Sequence, residues 1–285
     1  MTISQKTLKT GGEKLQKGLS EWLYDQTHIK ILGTDYGRKL IKITTFKTLI
    51  RQSGLENEFE KHYKAERGTA NEHKLDVNLS RTKATIFELA MCNPWDWFFT
   101  ATLNPAKYDR CNLELFHKAL TQWIRDYNKK YGLHIKYLLI PELHSDGKSW
   151  HMHGFLFDLP VEHLHQFKIG DRMGKALAEK VKRGDVVYNW TAYAEKFGFC
   201  DLERIKDNIA VSKYVTKYVT KDLEKSVKEL NAHQYYHSRG LKTAKLIKKG
   251  TMSANIVPDF ENEYIKTSTF EYSDELLARL LSKFY

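Results

Sequence analysis

His151-Met152-His153 sets two imidazoles one residue apart. On a strand, side chains alternate with period two, so both rings leave the same face and converge as ligation of a metal ion requires. Alone the pattern is weak, because twelve histidines in 285 residues yield about half such a pair by chance. Its neighbours add weight. Ser145-Asp146-Gly147-Lys148 separates two apolar runs, and Asp-Gly is the dipeptide that a two-residue type I′ hairpin turn prefers. With Asp146 and Gly147 at the centre of that turn, Glu142 falls directly opposite His151. Two neutral imidazoles and one carboxylate leave coordination positions open, which suits a catalytic divalent ion; His144 shares the face by parity. The competing reading is a polar hairpin surface on which Glu142 and His151 only pair across the strands.

A second constellation is Tyr214-Val215-Thr216-Lys217, repeated at once as Tyr218-Val219-Thr220-Lys221. At helical spacing Tyr214 and Tyr218 lie one turn apart on one face, with Lys217 and Lys221 in a row beside them. A phenol ionises near pH 10, so it attacks a phosphodiester only where cations favour its anion, and adjacent lysines and a metal do so. The alternative is structural: Val211, Val215, Val219 and Leu223 form an apolar stripe that the tyrosines would widen into the core. Gly147-Lys148-Ser149 resembles the end of a phosphate-binding P-loop, but Glu142 stands where that loop needs its first glycine, so an ATPase is unsupported.

The elements that must carry these groups follow from periodicity. Residues 97–103, rich in aromatic and β-branched types, read as a central strand. Residues 113–131 carry Leu113, Phe116, Leu120, Trp123, Ile124 and Tyr127 at helical spacing. Strands are expected over 135–144 and 150–157, paired antiparallel. Helix broken near Gly170 is expected over 161–182, a short strand over 197–205 and a long helix over 207–230. Upstream, 39–43 reads as a strand and 86–90 as part of a helix. The order predicts an α+β fold, a mainly antiparallel sheet backed by helices.

Composition narrows the partner. Lys and Arg number 46 against 35 Asp and Glu, and the net charge of +11 favours a polyanion. Sixteen tyrosines, fourteen phenylalanines and six tryptophans supply faces on which unpaired bases stack, although an ordinary aromatic core under a basic surface has the same composition. Three scattered cysteines make neither a disulfide framework nor a metal knuckle. No signal segment and no run of about 18 apolar residues is present, so the expectation is a cytoplasmic protein of a bacterial host cell with no membrane partner.

Three segments taken together resemble the rolling-circle replication initiators of the HUH endonuclease superfamily, in particular the phage and Gram-positive plasmid type with two tyrosines. Phe98-Phe99-Thr100-Ala101-Thr102-Leu103 is similar to the first family motif, His151-Met152-His153-Gly154 to the second and Tyr214 to Lys221 to the third. The resemblance implies a ferredoxin- or RRM-like antiparallel sheet with helices on its face, in a domain spanning 91–250 between an accessory region, 1–90, and an extension, 251–285. It implies His151, His153 and Glu142 as ligands of Mn²⁺ or Mg²⁺, Tyr214 and Tyr218 as nucleophiles, and Lys217 and Lys221 as groups that position the metal or phosphate. One tyrosine would nick single-stranded origin DNA, or an origin hairpin, to leave a 5′-phosphotyrosine and a free 3′-OH. A second transesterification would rejoin the ends, with a helicase and a DNA polymerase as partners. Candidate DNA contacts are Thr100, Thr102 and Asn104, with Tyr236, Ser238, Arg239 and Lys242 in a later aromatic and basic block, which reads alternatively as a strand followed by a solvated basic helix.

Three other functions stay open from sequence. A transposase or relaxase would use the same chemistry, a metal hydrolase or iron oxygenase would need only the histidines and carboxylate, and a basic DNA-binding module would need neither metal nor phenol.

Overall fold

The computed structural model describes residues 24–35, 37–51, 72–220, 223, 233–254 and 256–284. The chain divides into two compact units, Met1–Ala65 with Thr243–Tyr285, and Glu66–Lys242. The fold is α+β, with two antiparallel sheets and six α-helices among the described residues.

The larger unit holds helix α1 (Glu72–Met91), strand β3 (Trp97–Thr102), α2 (Leu113–Tyr131), β4 (Lys136–Leu143), β5 (Trp150–Phe157), β6 (Leu164–Gln166), α3 (Lys175–Lys182), β7 (Val187–Trp190), α4 (Thr191–Lys196), β8 (Cys200–Arg204), α5 (Asn208–Val215) and β9 (Tyr236–His237). Its seven strands run in the order β6-β7-β8-β3-β5-β4-β9, which puts β3 and β5 in the middle. On β3, Trp97, Phe99 and Ala101 are buried while Phe98, Thr100 and Thr102 are half-buried, the alternation a central strand needs when one face is core and the other a partly open site. Phe99 meets the edges of Trp190 and Tyr193, and Trp123 of α2 packs against Trp190, Tyr193 and Phe197. Each such ring, fully buried, stabilises by about 1.5–3 kcal/mol. Helix α2 is capped by Asn112, whose side chain accepts from Leu115 N, and ends at Gly132 in the left-handed conformation.

The smaller unit pairs β1 (Tyr24–Leu32) and β2 (Leu40–Arg51) with β10 (Lys245–Gly250), β11 (Phe260–Glu261) and β12 (Ile265–Glu271), in the order β10-β1-β2-β12-β11. Helix α6 (Asp274–Leu281) covers Ile29, Ile41 and Ile43 with Leu280. Sequence division at 90 and 250 differs from these units, because 245–250 and 260–271 add strands to the sheet that 24–51 begins.

Several expectations need correction. Over 161–182 the chain forms a 3-10 turn (Val161–His163) and β6, and only Lys175–Lys182 is helical. The strand β7 has no counterpart in the expected element order. The long helix expected over 207–230 stops as α-helix at Val215, tightens into a 3-10 turn over Thr216–Tyr218 and leaves helical geometry at Val219. Val215, Thr216, Val219 and Thr220 are β-branched, and the Thr216 hydroxyl donates to Lys213 O at 2.7 Å, a local bond that competes with helix propagation. The remainder of that expected helix, 221–222 and 224–230, lies outside the described residues. The basic segment after Leu241 is the strand β10, not a helix.

Candidate active site

The β4–β5 hairpin has the register expected of it, with Glu142 opposite His151. The turn does not have the expected type. Asp158 is the only non-glycine residue with positive φ among those described, so Asp146 lacks the conformation that a type I′ turn demands. His144 N instead donates to Ser149 O, and the loop closes through Asp146, whose carboxylate accepts from Lys148 N, Ser149 N and the Ser149 hydroxyl. Gly147 takes φ 68°. Two-residue and four-residue loops of this kind preserve one register, so Glu142 keeps its place.

Gly154 allows the two strands to approach. A Cβ there would stand 1.9 Å from Leu138 O, well inside contact distance. Thus the glycine that follows the second histidine is required by the sheet that carries the histidines.

Three rows of side chains cross the open face of the sheet. Thr102, His151 and Glu142 form one; Asp201, Thr100 and His153 form the next; Glu203, Phe98 and Phe155 form the third. Thr102 Oγ1 lies 2.8 Å from His151 Nδ1, and Thr100 Oγ1 lies 3.4 Å from His153 Nδ1. With each Nδ1 proton donated to a threonine, the lone pairs sit on the two Nε2 atoms, the arrangement that metal ligation uses. His151 Nε2 is buried and has no hydrogen-bond partner, whereas His153 Nε2 meets Glu142 Oε2 at 2.7 Å. The ring of His144 stacks on His151 with centroids 4.8 Å apart.

Burial, reinforced by the charges of His153, His144 and Arg110, pushes His151 down to about 4, so its imidazole is neutral at physiological pH. The hydrogen bond from His153 holds Glu142 below the usual carboxylate range against the opposing effect of burial. A neutral imidazole beside an ionised carboxylate is a donor set fit for a divalent cation. As they stand, Glu142 and His153 are bonded to each other, and among the described residues no group of three or more His, Cys, Asp or Glu side chains is arranged to hold a metal ion.

The tyrosines reach this face from α5 and the turn after it. Asp207 caps α5 by accepting from Ile209 N and Ala210 N. Tyr218 lies flat on His153, with ring centroids 4.3 Å apart and planes inclined by 4°. Tyr214 meets Phe98 edge-on at 5.6 Å, and the two phenol oxygens are 3.1 Å apart. Lys217 Nζ sits 3.6 Å from the centre of the Tyr214 ring and 4.9 Å from that of Tyr218. For Tyr214, burial alone would raise the phenol, but hydrogen bonds to Lys217 and Tyr218 outweigh it and hold the group below its ordinary value. Burial and the bond to Tyr214 push Tyr218 far above it. Lys221 lies outside the described residues.

The structure thus gathers Glu142, His151, His153, Tyr214, Lys217 and Tyr218 on one face. Thr100 and Thr102 turn their hydroxyls to the histidines. Asn104 is occupied in its own loop, its side chain accepting from Ala106 N. Of the later block, Tyr236 stacks on His117 at 3.7 Å, Ser238 accepts from Tyr137 N, and Lys242 N donates to Asn93, all contacts that seal the sheet's β9 end; Arg239 is exposed.

Two side chains in this site went unnoticed in the sequence. Asp201 sits across from Thr100, with the Thr100 hydroxyl as a hydrogen-bonding neighbour, and burial lifts its carboxyl to about 6. Lys180 of α3 binds Glu203 at 2.6 Å, with Asp201 and Tyr214 within its electrostatic reach. Alternation along 200–204 would have set Asp201 and Glu203 on one face, but only the register with β3 says which.

Residues 96–223 match the family model of the replication-associated proteins of ORF2 type, which supports a replication initiator family and an interaction with DNA. The matched span contains the hairpin, both tyrosines and Asp201. No curated protein and no solved structure matches the chain. No described helix is long and apolar enough to cross a membrane.

Proposed function

We propose that the chain is a rolling-circle replication initiator that nicks and rejoins single-stranded origin DNA by tyrosine chemistry, on an HUH-type sheet of ferredoxin or RRM-like kind. The observation that carries the reading is the stack of Tyr218 on His153 with the Tyr214 oxygen 3.1 Å from that of Tyr218. Two phenols and a lysine stand directly over the imidazole pair, so one phosphate can touch both sets. A hydrolase or oxygenase built on two histidines and a carboxylate has no use for that juxtaposition, and a passive DNA-binding surface has no use for either set.

In this reading His151 and His153 would hold Mn²⁺ or Mg²⁺ through Nε2, with Glu142 as the carboxylate ligand once its bond to His153 is given up. The metal supplies Lewis-acid polarisation of a non-bridging phosphate oxygen. Thr100 and Thr102 keep the imidazoles in the ligating tautomer. Lys217, with Lys221, offsets negative charge on phenol and phosphate, and Phe98 fixes the Tyr214 ring. Attack on phosphorus gives a 5′-phosphotyrosine and a free 3′-OH that a polymerase extends; rejoining needs no ATP because the phosphodiester energy is retained. Arg239 and Lys242 are the proposed contacts to the strand beyond the scissile phosphate, and a helicase is the proposed partner for opening the duplex.

The test is incubation of labelled single-stranded DNA from the encoding replicon with protein and Mn²⁺, followed by a denaturing gel. A slow, protease-sensitive labelled band is expected, and it must vanish with EDTA. Cleavage that survives the double change Tyr214→Phe and Tyr218→Phe would point to hydrolysis by a water molecule instead.

A further inference from the structure

We infer that the two tyrosines are not interchangeable: Tyr214 forms the first covalent link to DNA, and Tyr218 serves that step as a positioning residue acting through Tyr214. The inference rests on the nickase reading and assigns roles that it leaves open. A phosphodiester carries a sugar on each side, and in-line displacement needs a free approach to phosphorus opposite the leaving oxygen. Tyr214 is 45% exposed and Tyr218 8%. Both faces of the Tyr218 ring are engaged, since it lies against His153 at 4.3 Å and near-parallel to Phe98 at 6.5 Å with planes 23° apart. Tyr214 is braced on its edge alone, against Phe98, while Lys217 Nζ covers one face at 3.6 Å.

The link between the rings is the 3.1 Å contact between their oxygens. One of the two must donate. The buried Tyr218 keeps its proton and gives the bond, while the open Tyr214 accepts it and retains lone pairs for phosphorus. In the step itself the Tyr214 oxygen bonds phosphorus and the P–O3′ bond breaks. Its electron pair leaves with O3′, and the proton lost from the Tyr214 phenol ends on O3′ to give the 3′-hydroxyl. One ester bond forms and one breaks, so no oxidant or nucleotide cofactor is consumed. The Tyr218 proton stays on Tyr218 throughout.

The experiment uses the full chain, Mn²⁺ and synthetic single-stranded oligonucleotides tiling the encoding replicon, with the adducted peptide identified by mass spectrometry. Unmodified protein is expected to carry the nucleotide on Tyr214. Tyr214→Phe should lose the adduct by at least about 100-fold, a loss of about 2.7 kcal/mol of transition-state stabilisation. Tyr218→Phe keeps the ring stack and should still react at Tyr214. Losing a hydrogen bond to a charged oxygen slows that single-turnover rate about ten- to hundred-fold, with the half-saturating DNA concentration unchanged. A general packing defect would move both. An adduct found on Tyr218 in the unmodified protein, or full activity of Tyr214→Phe, overturns the assignment while leaving the nickase reading intact. No adduct from the unmodified protein on any oligonucleotide overturns both.

Discussion

Glu142 faces His151 across the β4–β5 hairpin, yet its carboxylate bonds to His153, at 2.7 Å. The diagonal choice has a cause. His151 Nδ1 is taken by Thr102 and its Nε2 is buried, while His153 presents Nε2 toward the strand that carries Glu142. A simple cross-strand pair of Glu142 with His151 is therefore not what forms. The face keeps one imidazole nitrogen without a partner and one carboxylate held by a single proton that a cation can replace.

That replacement predicts a metal dependence. Glu142→Gln keeps the shape of the side chain and removes its charge, and Mn²⁺ affinity measured by calorimetry should fall at least about ten-fold, with His153→Ala at least as severe. Mn²⁺ binding should also release protons near pH 6, because the His153 Nε2 proton must leave. Unchanged affinity in both variants would remove these residues from the metal site.

The threonines should matter unequally. Thr102 is 2.8 Å from His151 Nδ1, whereas Thr100 is 3.4 Å from His153 Nδ1. Valine at 102 replaces the hydroxyl with a methyl of the same shape, and the lost anchor should weaken Mn²⁺ binding about ten- to hundred-fold, with less effect at 100. The same DNA affinity for both variants in the absence of metal would separate this role from direct contact with the strand. A larger effect at 100 than at 102 would reverse the ordering.

Gly154→Ala tests the hairpin itself. The new methyl would meet Leu138 O at 1.9 Å, and both atoms belong to paired backbones that cannot turn aside. Destabilisation of about 3 kcal/mol or more is expected in urea unfolding, at the upper end of overpacking costs. A variant of native stability would mean that β4 and β5 can separate freely at this point.

The local parts of this site were readable in the chain, and the parts set by long-range pairing were not. The run 113–131, the strand 150–157 and the Glu142–His151 register follow from periodicity and from a short loop, both written within a few residues. The turn type was misread because Asp146 serves as a side-chain acceptor for three donors, a use that Asp-Gly does not distinguish from a type I′ turn. Residues 161–182 alternate too weakly to separate a short edge strand from a helix, and pairing of β6 with β7 decides the matter. Strands β10 and β12 join β1 and β2 across more than two hundred residues, a relationship that no local pattern carries. Asp201 escaped for the same reason, since its importance comes from β8 lying beside β3.

Asp201 also supplies the clearest pH prediction. Burial chiefly, with Glu203 adding to it and Lys180 opposing, raises its carboxyl from 3.8 to about 6. A raised value in the folded protein means that folding favours the neutral acid. Its contribution is fully present below pH 3.8 and is lost as pH rises through about 6, a difference on the order of 3 kcal/mol. Asn at this position cannot ionise and can still hydrogen-bond with Thr100. Asp201→Asn should accordingly be more stable than the unmodified protein in urea at pH 7.5, by up to that amount, and should lose most of the advantage at pH 4. Such a gain on removing a charge would mark Asp201 as held against the interests of stability, as groups that meet a cation or a proton in turnover are. An equal stability difference at the two pH values would show that the carboxyl does not titrate between them.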